Sequence, residues 1–415
     1  MLIKRDAYLR KLISRKENTA IKVITGIRRS GKSFLLFKLY KDYLVSEGVP
    51  YENIVMIDLD SEKFEKYRDK TLLREYVESK IINDDMYYLF IDEIQLCNGF
   101  ESLLNGLNRN PNIDIYITGS NSKFLSTDII TEFRGRGDEI RVYPLSFSEY
   151  HEATNMDFAE SWKEYFTYGG LPFILTIKTD QDKSTYLKQL LTLTYMKDII
   201  ERNNLRDENV MEKLLQILAS SIGSLNNPKK ISDSFNSRGI KTSDITIKKY
   251  IDFLLDSFMI HKSERYDVKG KKYIMTPLKF YFSDIGLRNA LLNFRQQEEN
   301  HIMENIIYNE LLYRGYNIDV GVVELRNHVN GKLNYKQIEV DFVCNMGSNR
   351  YYIQSAYHIP NQEKMFQEER PLIAIHDSFK KIIIVKDDIK TWRNDHGTII
   401  MGLKEFLLNS NSLEK

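Results

Sequence analysis

The stretch Gly26-Ile27-Arg28-Arg29-Ser30-Gly31-Lys32-Ser33 constrains this chain more than any other. It matches the pattern G-x-x-x-x-G-K-S. It follows the short β-rich run IKVIT (residues 21–25) and opens a helical pattern from Ser33 to about Leu44. A glycine-rich turn between a strand and a helix N-terminus makes a phosphate cradle, because backbone N–H groups converge there and the helix end favours an anion. The loop therefore predicts ATP held by residues 26–33, with Lys32 on the β/γ phosphates and the Ser33 hydroxyl on Mg²⁺. The plain alternative is a glycine turn that happens to contain Lys-Ser. The strand before it, the helix after it and a second motif weigh against that.

The second motif is Tyr88-Leu89-Phe90-Ile91-Asp92-Glu93, a buried apolar strand ending in two carboxylates. Asp92 is expected on Mg²⁺, directly or through water. Glu93 is expected to polarise the attacking water as general base. Further strands at Ile54–Leu59 and Ile113–Thr118 alternate with helical stretches, so the fold class is α/β, a parallel sheet with helices on both faces. The fourth strand runs into Gly119-Ser120-Asn121. There Ser120 or Asn121 would bridge the water and the γ-phosphate, although a plain turn uses the same residue types. Phe133-Arg134-Gly135-Arg136-Gly137 places Arg136 in a glycine-flanked loop, either as a source of transition-state charge in cis or in a neighbouring subunit, or as a solvated basic turn.

At 415 residues the chain exceeds what one hydrophobic core usually serves, so two to four domains are expected. Its formal net charge of +1 excludes a generic polyanion binder; nucleic-acid contact would need a local patch. Cys97 and Cys344 lie far apart without metal-ligand spacing, which fits a reducing compartment and argues against a zinc site. No apolar run reaches a membrane span of about 18 residues, and residues 1–6 do not read as a secretory signal. A cytoplasmic location and no membrane partner are expected.

Residues 156–205 read as helical, broken at Gly169-Gly170-Leu171-Pro172. Residues 208–283 read as helix, helix, helix and a two-stranded hairpin turning at Lys269-Gly270-Lys271-Lys272. Lys229–Phe235 forms a short helix with a Ser N-cap, and residues 243–255 a longer one that buries 247, 250, 251, 254 and 255. This is the element order of a winged helix. Residues 206–282 hold 14 Lys+Arg against 9 Asp+Glu, a net of about +5, which suits phosphate contact. A packing module with solvated lysines has the same composition. No base-reading arginine stands out, so non-specific contact with double-stranded DNA is favoured over sequence recognition.

The motifs GIRRSGKS, YLFIDEIQ, ITGSNSKFLS, FRGRGDEIRVYPLSFSEY and YGGLP, in this order, resemble those of the archaeal and bacterial P-loop ATPases of the AAA+ superfamily. The resemblance implies Asp92 and Glu93 as the Walker B pair, a polar sensor at the end of the fourth strand, Gly135-Arg136 as a family feature and Arg28 and Arg29 as loop residues. It also implies a winged helix and a C-terminal restriction-endonuclease-like α/β domain. The expected domains are 1–155 (ATPase), 156–207 (helical lid), 208–283 (winged helix) and 284–415 (endonuclease-like).

An endonuclease site of that kind needs carboxylates at one strand end and Glu-x-Lys on the next. Asp341 in Ile338–Val343 is the candidate carboxylate, with Glu304 on a helix to complete the set. Gln354-Ser355-Ala356 stands where Glu-x-Lys belongs. An amide is a poor Mg²⁺ ligand beside a carboxylate, so the tail is read as non-cleaving. The alternatives are a nuclease with a displaced lysine, Lys336 or Lys364, and a plain half-buried strand in which Glu339 and Asp341 are only the polar face. The functional expectation is an ATPase switch acting on DNA or a protein partner, with oligomerisation open. An ATP-regulated nuclease and a non-hydrolysing ATP-binding module are the alternatives.

Overall fold

The computed structural model describes residues 3–119, 133, 137–205, 207–295, 298–329 and 332–414. The chain divides into two compact units, Met1–Pro144 with Asp256–Phe258, and Leu145–Leu255 with Met259–Lys415.

The first unit is built on five strands: β1 (Ile21–Thr25), β2 (Ile54–Asp58), β3 (Tyr87–Asp92), β4 (Ile113–Thr118) and β5 (Gly137–Arg141). All are parallel, in the order β2-β3-β4-β1-β5. Successive side chains in a strand point to opposite faces. Val23, Ile57, Leu89, Ile91, Ile115 and Ile117 therefore share one face, against Leu73 and Val77 of the helix Lys70–Lys80 and Leu103, Leu104 and Leu107 of the helix Phe100–Leu107. On the other face Tyr40 packs on Phe90 and Tyr116. Tyr40 lies in the helix that starts at Lys32, passes through a π-helical segment Leu35–Tyr40 and ends at Ser46. Helices thus cover both faces, as the alternation of motifs predicts. The second face also explains a lysine in the middle of an apolar strand. Lys22 is fully buried and pairs with Asp114, which accepts further hydrogen bonds from the Tyr116 hydroxyl (2.7 Å) and the Glu17 N–H (2.9 Å).

The second unit is built on a nine-stranded mixed sheet in the order β13-β14-β12-β11-β10-β9-β7-β8-β6. Its strands are β6 (Leu225–Asn226), β7 (Ile260–Asp267), β8 (Lys272–Phe282), β9 (Asn317–Val329), β10 (Lys332–Met346), β11 (Asn349–Ala356), β12 (Lys380–Val385), β13 (Trp392–Arg393) and β14 (Ile399–Gly402). Three helices, Glu208–Ser220, Pro228–Ser237 and Asp244–Asp256, precede the β7–β8 hairpin, in the order read from the sequence. The last buries Ile247, Tyr250, Ile251 and Leu254. The short helix is capped by Asn227, whose side chain accepts from the Lys229 N–H (2.9 Å), with Pro228 following. That corrects the expected serine cap: Asn then Pro satisfies an orphan donor and presets the first turn. The hairpin joins the large sheet, β7 running parallel to β9 with Tyr266 opposite Gly321. Strand β9 has no counterpart among the expected elements, and β10 runs well beyond 338–343.

The YGGLP motif has a structural origin. Asp284 is buried at the N-cap of the helix Ile285–Leu291 and accepts from the N–H groups of Leu287 (3.1 Å) and Gly170 (2.7 Å). At Gly169, φ is +76°, and a Cβ would stand 2.3 Å from Asp284 Oδ1. At Gly170 a Cβ would stand 2.4 Å from the Leu145 carbonyl oxygen. Both positions exclude any side chain. Burial pushes the Asp284 carboxyl up to about 6, against the backbone hydrogen bonds that pull it down. Its folded value lies above the unfolded value of about 3.9. Its contribution to stability is therefore complete below about pH 4 and is lost as the pH rises through about 6. Asp284→Ala should remove that part of the pH dependence and, by leaving buried amides unpaired, cost about 2–4 kcal/mol. Denaturant melts of the two proteins between pH 4 and 7 check both effects.

Candidate functional site

The site forms where β1, β4 and β3 end side by side. Strand β1 is buried along its whole length and stops at Gly26, where φ is +134°. A Cβ on Gly26 would lie 2.0 Å from the Val142 carbonyl oxygen, so only glycine lets the chain turn there. Gly31, at φ +95°, starts the helix, and its carbonyl accepts from the Leu35 N–H at 2.9 Å. The loop between them is folded on itself: the Ser30 N–H donates to the Ile27 carbonyl (3.2 Å). Lys32 is buried, and its ammonium donates to the carbonyls of Gly26 (3.0 Å) and Ile27 (3.2 Å). Burial holds Lys32 below the usual lysine range, while Glu93 and Asp92 pull it the other way. The Ser30 hydroxyl is buried and has no hydrogen-bond partner. Ser33 and Arg29 are exposed and Arg28 is half-buried.

Strand β4 lies between β1 and β3, with Thr118 opposite Ile24. Its last residue carries the contact that joins β4 to the end of β3. The Thr118 hydroxyl donates to Asp92 Oδ1 and accepts the Glu93 N–H at 3.1 Å. Glu93 has left-handed backbone, φ +50°, an uncommon conformation for a non-glycine residue. The Gln95 amide holds its carboxylate through Oε2. On the other side of β1, the Thr25 hydroxyl donates to Glu139 at 2.6 Å. Asp92 and Glu93 thus stand where the sequence puts them, at the end of β3. Thr118, Gln95 and Glu139 are additional polar residues that sequence reasoning passes over. The signal for Thr118 was its place as the last polar residue of an apolar strand. Ser120, Asn121 and Arg136 lie outside the described residues.

Residues 18–151 match the model of the AAA domain, and residues 159–298 match a domain of unknown function (DUF8612). An uncharacterized protein of Haemophilus influenzae is 36% identical over 389 residues, covering 92% of this chain and 93% of that one. The chain belongs to the family of that protein, a family of P-loop ATPases. An uncharacterized protein of Methanocaldococcus jannaschii is 28% identical over 428 residues, covering 98% of this chain and 89% of its own. Among solved structures, a DNA polymerase III gamma subunit-related protein of Thermotoga maritima is 10% identical, covers 60% of this chain and 99% of its own, and has a TM-score of 0.31. At that score the likeness carries no argument. The five-stranded parallel sheet of this P-loop ATPase is consistent with the fold of P-loop NTPases.

A second polar cluster lies in the large sheet. Glu304, from the helix Glu299–Tyr313, and Glu339 and Asp341, from β10, surround the ammonium of Lys279 on β8. The distances from Nζ are 3.2 Å to Glu304, 3.6 Å to Asp341 and 3.9 Å to Glu339. Tyr281, two residues on, donates to the same Glu304 oxygen at 2.7 Å. Burial opposes the Lys279 charge, but Glu304, Asp341 and Glu339 outweigh it and hold the lysine above its ordinary range. Burial and the Glu304 charge push Asp341 up to about 7. The structure thus brings together the Glu304, Glu339 and Asp341 read from the sequence. Of the displaced lysines read from the sequence, Lys336 is exposed on β10, and Lys364 pairs with Glu368, which also accepts from the Gln354 amide (3.1 Å). Sequence reasoning missed Lys279 because it stands 62 residues before Asp341, in a hairpin read as a wing.

Gly26→Ala should displace the loop, because its new methyl group meets backbone and not a movable side chain. Mg·ATP affinity should fall about tenfold or more, about 1.4 kcal/mol, with the circular dichroism spectrum retained. Calorimetric titration measures it.

Proposed function

We propose that this chain is a Mg²⁺-dependent ATPase whose nucleotide state switches a surface that meets DNA. The observation that carries the first part is Thr118, which ties Asp92 to the Glu93 backbone on the strand next to the phosphate loop. In this scheme residues 26–33 wrap the triphosphate, Lys32 leaves the Gly26 and Ile27 carbonyls for the β/γ phosphates, and the buried Ser30 hydroxyl gains a partner. Ser33 and Asp92 would hold Mg²⁺, which supplies neutralising charge on the phosphate oxygens. Glu93 takes a proton from the attacking water as its oxygen bonds to the γ-phosphorus and the bond to ADP breaks. Arg136, in cis or from a neighbouring subunit, adds transition-state charge. Ser120 or Asn121 orients the water.

The proposed domains are 1–155, 156–207, 208–283 and 284–415, the third a winged helix and the last an endonuclease-like module that does not cleave. Several features of 208–283 favour DNA over a protein partner. Lys248 and Lys249 are exposed on the helix Asp244–Asp256, with Ile245 73% exposed at its start. Lys269, Lys271 and Lys272 crowd the hairpin turn, followed by exposed Tyr273 and Met275. Ammonium groups around exposed apolar side chains suit a sugar-phosphate surface more than a dry protein interface.

Lys32→Ala should abolish Mg·ATP binding. Glu93→Gln should keep it and lower turnover by about 10²–10⁴. Unchanged turnover in the Glu93→Gln protein would move the base elsewhere, and absent turnover in the parent chain would leave a non-hydrolysing ATP-binding module. For the partner, ATP turnover measured with double-stranded DNA across a salt series should show stimulation that fades as salt rises. A flat response would point to a protein partner.

A further inference from the structure

The endonuclease resemblance implies a divalent metal ion between the tail carboxylates, and the residues present do not fit one. Among the described residues no group of three or more His, Cys, Asp or Glu side chains is arranged to hold a metal ion. The reason is visible residue by residue. A hard cation draws carboxylate oxygens to about 2.0–2.6 Å and needs their lone pairs free. Here Glu304 already takes hydrogen bonds from Tyr281 (2.7 Å) and Lys279 (3.2 Å), and its other oxygen lies 3.7 Å from His301 Nδ1. Asp341 Oδ2 accepts the Ser355 N–H at 2.9 Å. Glu339 faces Arg265 Nε at 3.3 Å. Gln354 is spent at both ends: its oxygen accepts from the Asp341 N–H (3.3 Å) and its nitrogen donates to Glu368 (3.1 Å). Among the described residues, the one group common to all three carboxylates is the Lys279 ammonium.

We propose that Lys279 is the resident cation of this constellation, its ammonium standing where a divalent metal ion would otherwise sit between Glu304, Glu339 and Asp341. The assignment rests on the reading of the tail as non-cleaving and supplies its cause. The loss of Glu-x-Lys at residues 354–356 removes one ligand and the usual base. The lysine removes the vacancy itself. It arrives on β8, where it pairs with Ser263 of β7 and Leu225 of β6, so it is held from both sides of the strand. Tyr281 shares its face of the strand and fixes the Glu304 oxygen that the ammonium uses. An ammonium cannot bridge a scissile phosphate to a bound hydroxide as a metal ion does. The cluster therefore holds the β7–β8 hairpin to the tail and does no phosphodiester chemistry.

The test is Mn²⁺ binding by the full chain without nucleotide, read by loss of the free-ion electron paramagnetic resonance signal. The parent protein and Asp341→Asn should bind the same amount. Lys279→Ala should gain one equivalent that the double variant Lys279→Ala/Asp341→Asn lacks, and Lys279→Arg, which keeps the charge, should gain none. One equivalent in the parent protein that is lost in Asp341→Asn would overturn the assignment, as would a folded Lys279→Ala protein that gains nothing. If Lys279→Ala does not fold, the comparison of the parent with Asp341→Asn decides alone. Supercoiled plasmid is added to the same samples. Binding by the parent without cutting would sink only the lysine assignment. Cutting that disappears in Asp341→Asn would sink the non-cleaving reading as well.

Discussion

The carboxylates Asp92 and Glu93 and the glycine-rich loop at residues 26–33 follow strands that are not neighbours. Strand β4 separates β1 from β3 and pairs with both. At its end the Thr118 hydroxyl fastens the β3 side of the site. It donates to Asp92 and accepts from the Glu93 N–H, which fixes the turn in which Glu93 takes its left-handed backbone. A buried hydroxyl with both roles filled leaves little freedom in the Asp92 carboxylate and the Glu93 backbone it holds. The other half of the site is rigid for a different reason. Gly26 lies so close to the Val142 carbonyl that the loop is set by backbone packing, before any ligand contributes.

The second unit uses buried charge in the same way, as a fastener between segments distant in sequence. Asp284 binds the amide of Gly170, and the side-chain amide of Asn289 donates to the carbonyls of Phe166 and Thr167 at 3.0 Å each. Arg288, fully buried, donates to the Ala219 carbonyl at 2.8 Å and to Glu298 at 3.0 Å. Three residues of the Ser283-Asp284-Ile285-Gly286-Leu287-Arg288-Asn289 segment anchored in this way reach three different helices or their ends. Such groups are costly to bury and costlier to strand, so they specify partners more sharply than apolar contacts do.

How far the fold is legible in the sequence follows from how each element meets solvent. Strands β1 to β4 are short apolar runs bounded by polar residues, buried on both faces, and they stand where the pattern puts them. The helices at 208–256 show one clear apolar face and are equally legible. Strand β9 is not, because Asn317–Val329 mixes Asp, Glu, Arg and His with its valines and offers neither a run nor a strict alternation. The candidate site divides similarly. The loop at 26–33 and the pair Asp92-Glu93 are contiguous in sequence and carry their own signature. Thr118 and Lys279 act only through neighbours brought close by strand order, which no spacing rule encodes.

A lysine and a metal ion differ in what they tie together. An ion can leave, and its ligands then repel one another until they relax or take up protons. Lys279 cannot leave without its strand. Because a strand alternates faces, a one-residue slip of β8 would turn the ammonium away from Glu304, Glu339 and Asp341 and leave three acidic groups in a buried space. Breaking a buried pair in that way costs about 3–5 kcal/mol. The register of β8 against β7 and β6 is therefore locked by charge at Lys279 as well as by the backbone ladder.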